Sequence, residues 1–367
     1  MPYEPISLPE YPCRADVWDI LAAERRPIVV YGMGNGADKL INRFKKYGIE
    51  IADFFASDGF VRGHLFHGKR VKSFSEIKAE YESFVIVLSF ASNRPEVIDM
   101  LAEIDREYDM YVPDMPVVGE EYFDREFYNA HYAEIREASE MLSDECSRAL
   151  FCAVVNYRLS GKLSYILDAC SEKGELYSLI SSAGNIRTAV DAGAYNGDTV
   201  REAVEYFKNI KKIYAIEPDP KNFKKLTRLA DALPEGMLLP INAAVYSKSG
   251  SGEMNVSGNR NSSLSSSSFE HKVEAVSLLR IDEGVTEAVD YIKYDVEGAE
   301  LDALVGSEGL IEKYRPALLV SLYHRSRDLF SLPLYLKNRY AGYDFYLRRL
   351  RSIPAWELDL IMLPVDK

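Results

Sequence analysis

Twice in this 367-residue chain a short apolar run breaks on a glycine-rich turn and passes into residues at helical spacing. The first is Ile28-Val29-Val30-Tyr31, followed by Gly32-Met33-Gly34-Asn35-Gly36-Ala37. The second is Val190-Asp191-Ala192, followed by Gly193-Ala194-Tyr195-Asn196-Gly197-Asp198. A strand that ends on glycines and feeds a helix is the building unit of a parallel α/β sheet, since parallel strands need such a crossover. Both units extend the alternation. After the first come IADFFASD at 51–58, a helical stretch near 75–82, the strand VIVLSF at 85–90 and a helix at about 95–107. Around the second lie the strands TAVDAG, KIYAIEP, LLPINAAV, YIKYDVEG and ALLVSLYH, with helices between several of them.

The fold expected is therefore α/β, with two Rossmann-like units. Prolines in YVPDMP close the first near residue 115. Residues 120–183 place apolar side chains at helical spacing, with no turn cluster before Ser160-Gly161. This divides the chain into a nucleotide-binding-type unit at 1–117, a helical connector at 118–185 and a second α/β unit at 186–367. The tract from Ser257 to Ser268 has seven serines in twelve residues. It reads as a surface loop or, alternatively, as a substrate-facing loop whose hydroxyls order on binding.

Charge narrows the partners. The net charge is −13, unevenly spread: residues 1–185 hold 20 basic and 31 acidic side chains, residues 186–367 hold 24 and 26. An acidic surplus disfavours nucleic acid or an anionic membrane as the main partner, because phosphate binding runs on clustered Lys and Arg. Arg348-Arg349-Leu350-Arg351 reads as a solvated turn, with contact to an anionic substrate such as a phosphosugar as the alternative. The four cysteines show no CxxC spacing, the N-terminus lacks a signal-peptide pattern, and the apolar runs are too short to span a bilayer. A soluble cytoplasmic protein is expected, with a homo-oligomer left open.

The chemistry concentrates in the second unit. Asp191, Gly193 and Gly197 stand at DxGxxxG spacing, and a helix begins at Asp198. Glycines let backbone approach a ligand closely, and an acid at a strand end can hold an ammonium or hydroxyl group. The closely spaced glycines of a pyrophosphate site are absent here, so a ligand without phosphates fits better, S-adenosylmethionine being the obvious one. Glu217 closes the next strand, where a carboxylate can take both ribose hydroxyls, and Pro218 stops that strand.

Ile292-Lys293-Tyr294-Asp295-Val296-Glu297-Gly298-Ala299-Glu300 resembles the IKxDVEGxE signature of FkbM-type methyltransferases. Asp191, Gly193, Gly197, Glu217-Pro218, Asn242-Ala243-Ala244-Val245 and Asn261-Ser262-Ser263-Leu264 stand in the order of that family. The tail at 321–349 resembles a bacterial subgroup. The resemblance implies a class I seven-stranded fold and S-adenosylmethionine-dependent O-methylation of a sugar, glycan precursor or related metabolite. It implies a cofactor site drawn from Asp191, Gly193, Tyr195, Gly197, Asp198, Glu217, Pro218, Ala244 and Asp295.

Methyl transfer to an alcohol needs alignment and a base. Asp295, Glu297 and His324 are the candidates, with Glu300 either a further one or a helix N-terminal acid. Many relatives have an acid on the strand that here reads Leu319-Val320-Ser321-Leu322, so the base is open. Asp295, Glu297 and His324 could also hold a metal, but the resemblance requires none and none is assigned.

In the first unit, Gly32-x-Gly34-x-x-Ala37 with Asp58 at the end of the next strand has the pattern of a Rossmann half. It could face a nucleotide or nucleotide-sugar, or be a degenerate module that binds nothing. Two rival functions follow from that unit: a nicotinamide-dependent oxidoreductase, or a non-catalytic nucleotide-binding scaffold. His64 and His67 read as loop residues.

Overall fold

A computed structural model describes residues 6–61, 63–256 and 272–365. The serine-rich tract at 257–268, with Asn261 to Leu264, lies outside the described residues.

Two sheets organise the chain. The first has five parallel strands in the order Lys72–Ser73, Asp53–Ala56, Ile28–Tyr31, Val85–Leu88, Met110–Tyr111. The second has seven, in the order Leu238–Ile241, Lys212–Ile216, Thr188–Ala192, Tyr291–Tyr294, Ala317–Ser321, Leu358–Pro364, Tyr343–Arg349. Its first five strands are parallel, and Leu358–Pro364 runs antiparallel to both neighbours. Strands 28–31, 85–88, 317–321 and 358–364 are buried along their whole length. Strands covered on both faces need unbroken apolar runs, which is why ALLVS and LDLIMLP hold so few polar residues.

Helix starts follow the side chains that can satisfy free backbone N–H groups. Ser73 and Glu76 form a capping box before Phe74–Glu80, and Asp219 with Pro220 opens Pro220–Ala232. The helical connector expected before Ser160 is built of several short helices. The segment is divided into Arg125–Ala130, Tyr132–Glu140 and Glu145–Ser160, and Lys173–Ser181 follows. Asp124 and Asp144 accept from the N–H groups of Phe127 and Ser147, capping the first and third of these helices, while the second begins at His131 without a side-chain cap. Apolar periodicity continues through such a break, so spacing alone did not reveal it.

Glu145–Ser160 is no free linker. Its Ser147 hydroxyl accepts from the Leu347 N–H, and its buried face joins one apolar core running from the first sheet into the second. The two sheets are tied further at their edges. Ser92 and Ile353 form an isolated antiparallel bridge, Arg158 meets Asp114 at 3.3 Å, and Arg351 meets Asp99 at 2.6 Å.

The arginine tract is a correction. Arg348 and Arg349 belong to the strand Tyr343–Arg349 and are buried, not solvated. Arg348 pairs with Asp144 at 2.8 Å and Glu175 at 3.1 Å. Arg349 donates to the carbonyls of Ala169, Ser352 and Ile166. A guanidinium can stay charged inside a protein when several carbonyls receive its donors, and the sequence does not show which carbonyls come near. With Arg351 bound to Asp99, all three guanidiniums have protein partners.

Candidate functional site

A cavity of about 520 Å³ opens along one edge of the seven-stranded sheet, within the size range of small-molecule sites. It lies where strand order reverses: from Thr188–Ala192 the chain steps outward through 212–216 to 238–241, then returns to place 291–294 on the other side. Loops leaving adjacent strands there diverge and leave a crevice. Gly193, Glu217, Asp295, Ser321 and Asp359 line the cavity from five neighbouring strands.

The reversal point is held by a buried charge chain. Lys293 and Asp191 are register partners on adjacent strands, and the Lys293 ammonium lies 3.4 Å from both Asp191 Oδ1 and Asp295 Oδ2. Lys293 is only 6% exposed. Burial opposes its charge, but Asp191 and Asp295 outweigh it and hold its pKa well above the ordinary lysine value. Burial also works against the Asp295 carboxylate, yet Lys293 and His324 keep its pKa below the ordinary aspartate value. Burial pushes Asp191 up, against the pull of Lys293 and of the Thr199 hydroxyl, which donates to its Oδ2.

Behind Asp295 lies His324, 0% exposed. Its Nδ1 is 2.9 Å from Glu300 Oε1, and its Nε2 is 3.5 Å from both Asp295 Oδ1 and Glu297 Oε2. Burial disfavours the imidazolium, but Glu300 first, then Glu297 and Asp295, raise its pKa to about 10. Glu300 also accepts from the N–H groups of Val296 and Gly298, holding the loop that presents Asp295 and Glu297. Glu297 and Tyr195 adopt left-handed backbone conformations beside the cavity, with φ of 53° and 47°. Such strain persists only where the surroundings enforce it.

Of the residues singled out from sequence, Gly193, Tyr195, Asp198, Glu217, Pro218, Ala244, Asp295 and Glu297 line the cavity together. Asp191, Gly197 and His324 stand behind its wall. Asp191 is spent on Lys293 and Thr199, and His324 on carboxylates. Protein packing alone already requires both glycines. A Cβ on Gly193, where φ is +85°, would sit 1.8 Å from the Asp295 carbonyl oxygen, and one on Gly197 would strike Leu229 and Leu226. Gly193→Ala is therefore expected to lower unfolding free energy by about 3 kcal/mol or more. Urea denaturation followed by circular dichroism measures this, and a loss below about 1 kcal/mol would show that the two loops can part freely.

Glu217 is 7% exposed, and its oxygens accept from the N–H groups of Tyr195 and Asp219. Burial raises its pKa to about 7. Three further groups were not singled out from sequence. Lys293 sits inside the quoted signature, Tyr323 donates to Asp295 Oδ1 at 3.1 Å, and Asp359 is the second residue of the strand Leu358–Pro364. A lone acid within an otherwise apolar run was the available signal for Asp359.

The cavity wall includes nine acidic and three basic residues, and each cation has an acidic partner: Lys173 with Glu202, Arg351 with Asp99, Lys293 with Asp191 and Asp295. Among the described residues no cluster of His, Cys, Asp and Glu has a metal-binding arrangement, and no helix is long and apolar enough to cross a membrane.

In the first unit the glycine turn is likewise filled by protein. Cβ atoms on Gly32 and Gly36 would collide with Ser89 and Phe90, while Gly34 faces open space. Ala37 is fully buried, and Asp58 accepts from the Ser75 N–H and hydroxyl.

Comparison with known proteins places this geometry. Residues 191–345 match the methyltransferase FkbM domain. The structure of a methyltransferase FkbM from Methylobacillus flagellatus KT superposes with a TM-score of 0.68 at 19% identity, over 92% of this chain and 90% of that one, so the shared fold includes both sheets. An rRNA methylase from Streptococcus thermophilus aligns at 12% identity with a TM-score of 0.36, over 52% of this chain and 95% of its own. A methyltransferase candidate from Streptococcus mutans in complex with SAH aligns at 13% identity and 0.36, over 52% and 97%. The comparison with curated proteins finds no match. The stretch that carries Asp191, Gly193, Glu217 and Asp295 is thus similar to the methyltransferase FkbM domain, a match that supports a methyltransferase enzyme.

Proposed function

We propose that this chain is an S-adenosylmethionine-dependent O-methyltransferase acting on a hydroxyl of a sugar, glycan precursor or related metabolite. The observation that carries the proposal is the placement of Glu217 and Asp295 on one cavity edge, two strands apart. At about 4.8 Å per strand this separates them by roughly 10 Å, a span suited to a nucleoside extended by an amino-acid tail. Glu217, its outer lone pairs free of the Tyr195 and Asp219 bonds, would take the ribose hydroxyls. Asp295, kept charged by Lys293 and His324, would face the cationic part of the cofactor. Gly193, Tyr195, Asp198, Pro218 and Ala244 supply the walls, while Asp191 and Gly197 shape the turn from behind. When bound, S-adenosylmethionine supplies an electrophilic methyl group and its own leaving group.

The protein's part is then to align the acceptor, exclude water and receive a proton. His324, held protonated among carboxylates, serves as a counter-ion that fixes Asp295 and Glu297, so the base is a carboxylate of this wall. The excess of acids, with every lining cation already paired, favours an acceptor without phosphate or carboxylate groups. The same considerations support a division into a Rossmann-like unit at 1–117, a helical connector at 118–185 and a class I methyltransferase domain at 186–367. A cytoplasmic location agrees with these functions.

Calorimetric titration with S-adenosylhomocysteine and with NADH tests the cofactor. Binding of the former is expected; binding of NADH alone would overturn the proposal in favour of an oxidoreductase. With a neutral glycan fraction as acceptor, S-adenosylhomocysteine release is expected, and Asp295→Ala should reduce it by roughly a hundredfold or more. Unchanged turnover in that variant would remove Asp295 from the site.

A further inference from the structure

The cavity does not end at Asp295. Beyond it the wall continues over two more strands, through Ser321 to Asp359, again roughly 10 Å along the sheet. Leu358–Pro364 runs antiparallel, so its first residues lie at the same edge as the last residues of the parallel strands. Asp359 is the register partner of Ser321, whose hydroxyl donates to Asp359 Oδ1 at 3.1 Å. A carboxylate of the neighbouring strand thus stands level with the end of strand 317–321, in the same cavity. Asp359 is 7% exposed, and Asn93 reaches the cavity from the first α/β unit.

We infer that the end of the cavity beyond Asp295 is the acceptor subsite and that Asp359 is the carboxylate that removes the acceptor's proton. This assignment rests on the cofactor orientation proposed above. In the step, the acceptor oxygen forms a bond to the methyl carbon as the carbon–sulfur bond breaks. The sulfur keeps the bonding pair as a neutral thioether, and the hydroxyl proton passes to Asp359. The products are a methyl ether, S-adenosylhomocysteine and a protonated Asp359, which returns its proton to solvent.

The environment of Asp359 suits that task. Burial first, then Glu357 and Asp295, raise its carboxyl to about 7, while Lys293 and the Ser321 hydroxyl pull the other way. A base near neutrality is both substantially ionised and able to hold a proton. Asp295, held below the ordinary aspartate range, meets only the first requirement. The two acids therefore divide the work, one facing the cofactor's positive charge and one the acceptor.

Because the acceptor is unidentified, the test uses two cofactor analogues and the full-length protein. S-adenosylhomocysteine has no group at the methyl position, whereas sinefungin presents a protonated amine there. If Asp359 faces that position, wild type binds sinefungin more tightly than S-adenosylhomocysteine by roughly tenfold or more. The preference should grow as pH rises from 6 to 8, as the Asp359 carboxyl ionises. Asp359→Asn should reduce the preference to the part that Asp295 supplies and remove its rise between pH 6 and 8, with S-adenosylhomocysteine affinity unchanged, which also shows that the variant is folded. Ser321→Ala removes a bond that favours the charged form, and should move the pH inflection upward. An equal preference in wild type and Asp359→Asn would overturn the assignment while leaving the cofactor site in place. Failure of wild type to bind either analogue would overturn the cofactor site, and the assignment with it.

Discussion

Replacing Lys293 by methionine is expected to lower the unfolding free energy by about 3–5 kcal/mol at pH 7. Methionine fills much the same volume, so the loss comes from charge. Asp191 and Asp295, each 3.4 Å from the ammonium in the native protein, would be left as buried carboxylates without their shared cation. Breaking one partner out of a buried ionic group costs more than the group as a whole contributes, because the remaining charges cannot recover water. The deficit should shrink in acid, where the two carboxylates take up protons and the stranded charge disappears. Urea titrations of both proteins at pH 5 and pH 7 measure this. A deficit below about 1 kcal/mol, the range of exposed pairs, would mean that water reaches Asp191.

His324→Ala should be comparably costly, about 3–5 kcal/mol near neutrality, and should change how stability depends on pH. The folded protein holds the imidazolium to a pKa of about 10, against an ordinary 6.5. A raised pKa means that the folded state binds the proton more tightly than the unfolded chain. The contribution is therefore complete below about 6.5 and is lost as pH climbs towards 10. Asp328, pushed up by burial and by Glu300 to about 7 from 3.8, adds a loss of the same sign between those two values. Wild type should accordingly weaken steadily from mildly acidic to alkaline pH. The variant should start lower and be flatter between pH 7 and pH 10. An unchanged slope over that interval, measured by urea unfolding at pH 7, 8.5 and 10, would place the alkaline titration elsewhere. Tyrosines are the other groups to watch in that range, since burial raises Tyr323 well above its ordinary value.

Local patterns were legible where one residue type has one physical use. The apolar runs of IVVY, VIVL and ALLVS read as strands of a parallel sheet, and each is buried along its whole length. Gly193 marked a turn that tolerates no side chain, and the nearest obstacle is the Asp295 carbonyl. Glu217 and Asp295, each just past the end of a strand, were already in the right order for one cavity. Side chains with several possible uses were not legible. An arginine reads as solvated until its carbonyl partners are known, and those of Arg349 lie at positions 166, 169 and 352. A histidine leaves its role open in sequence, which does not show the three carboxylates that surround His324.

By itself the sequence determined the α/β alternation, the turn at Gly193, and the grouping of Asp295, Glu297 and Glu300 in one short segment after a strand. These depend on neighbours along the chain, where a few residues set backbone conformation and burial. Only the tertiary structure decided which carboxylates face the cavity and which are consumed behind it. It set Asp191 against Lys293, turned His324 into a buried cation, and brought Asp359 alongside Ser321 across 38 residues of chain. Ionisation and access depend on distances and burial that arise only when strands distant in sequence become neighbours in a sheet.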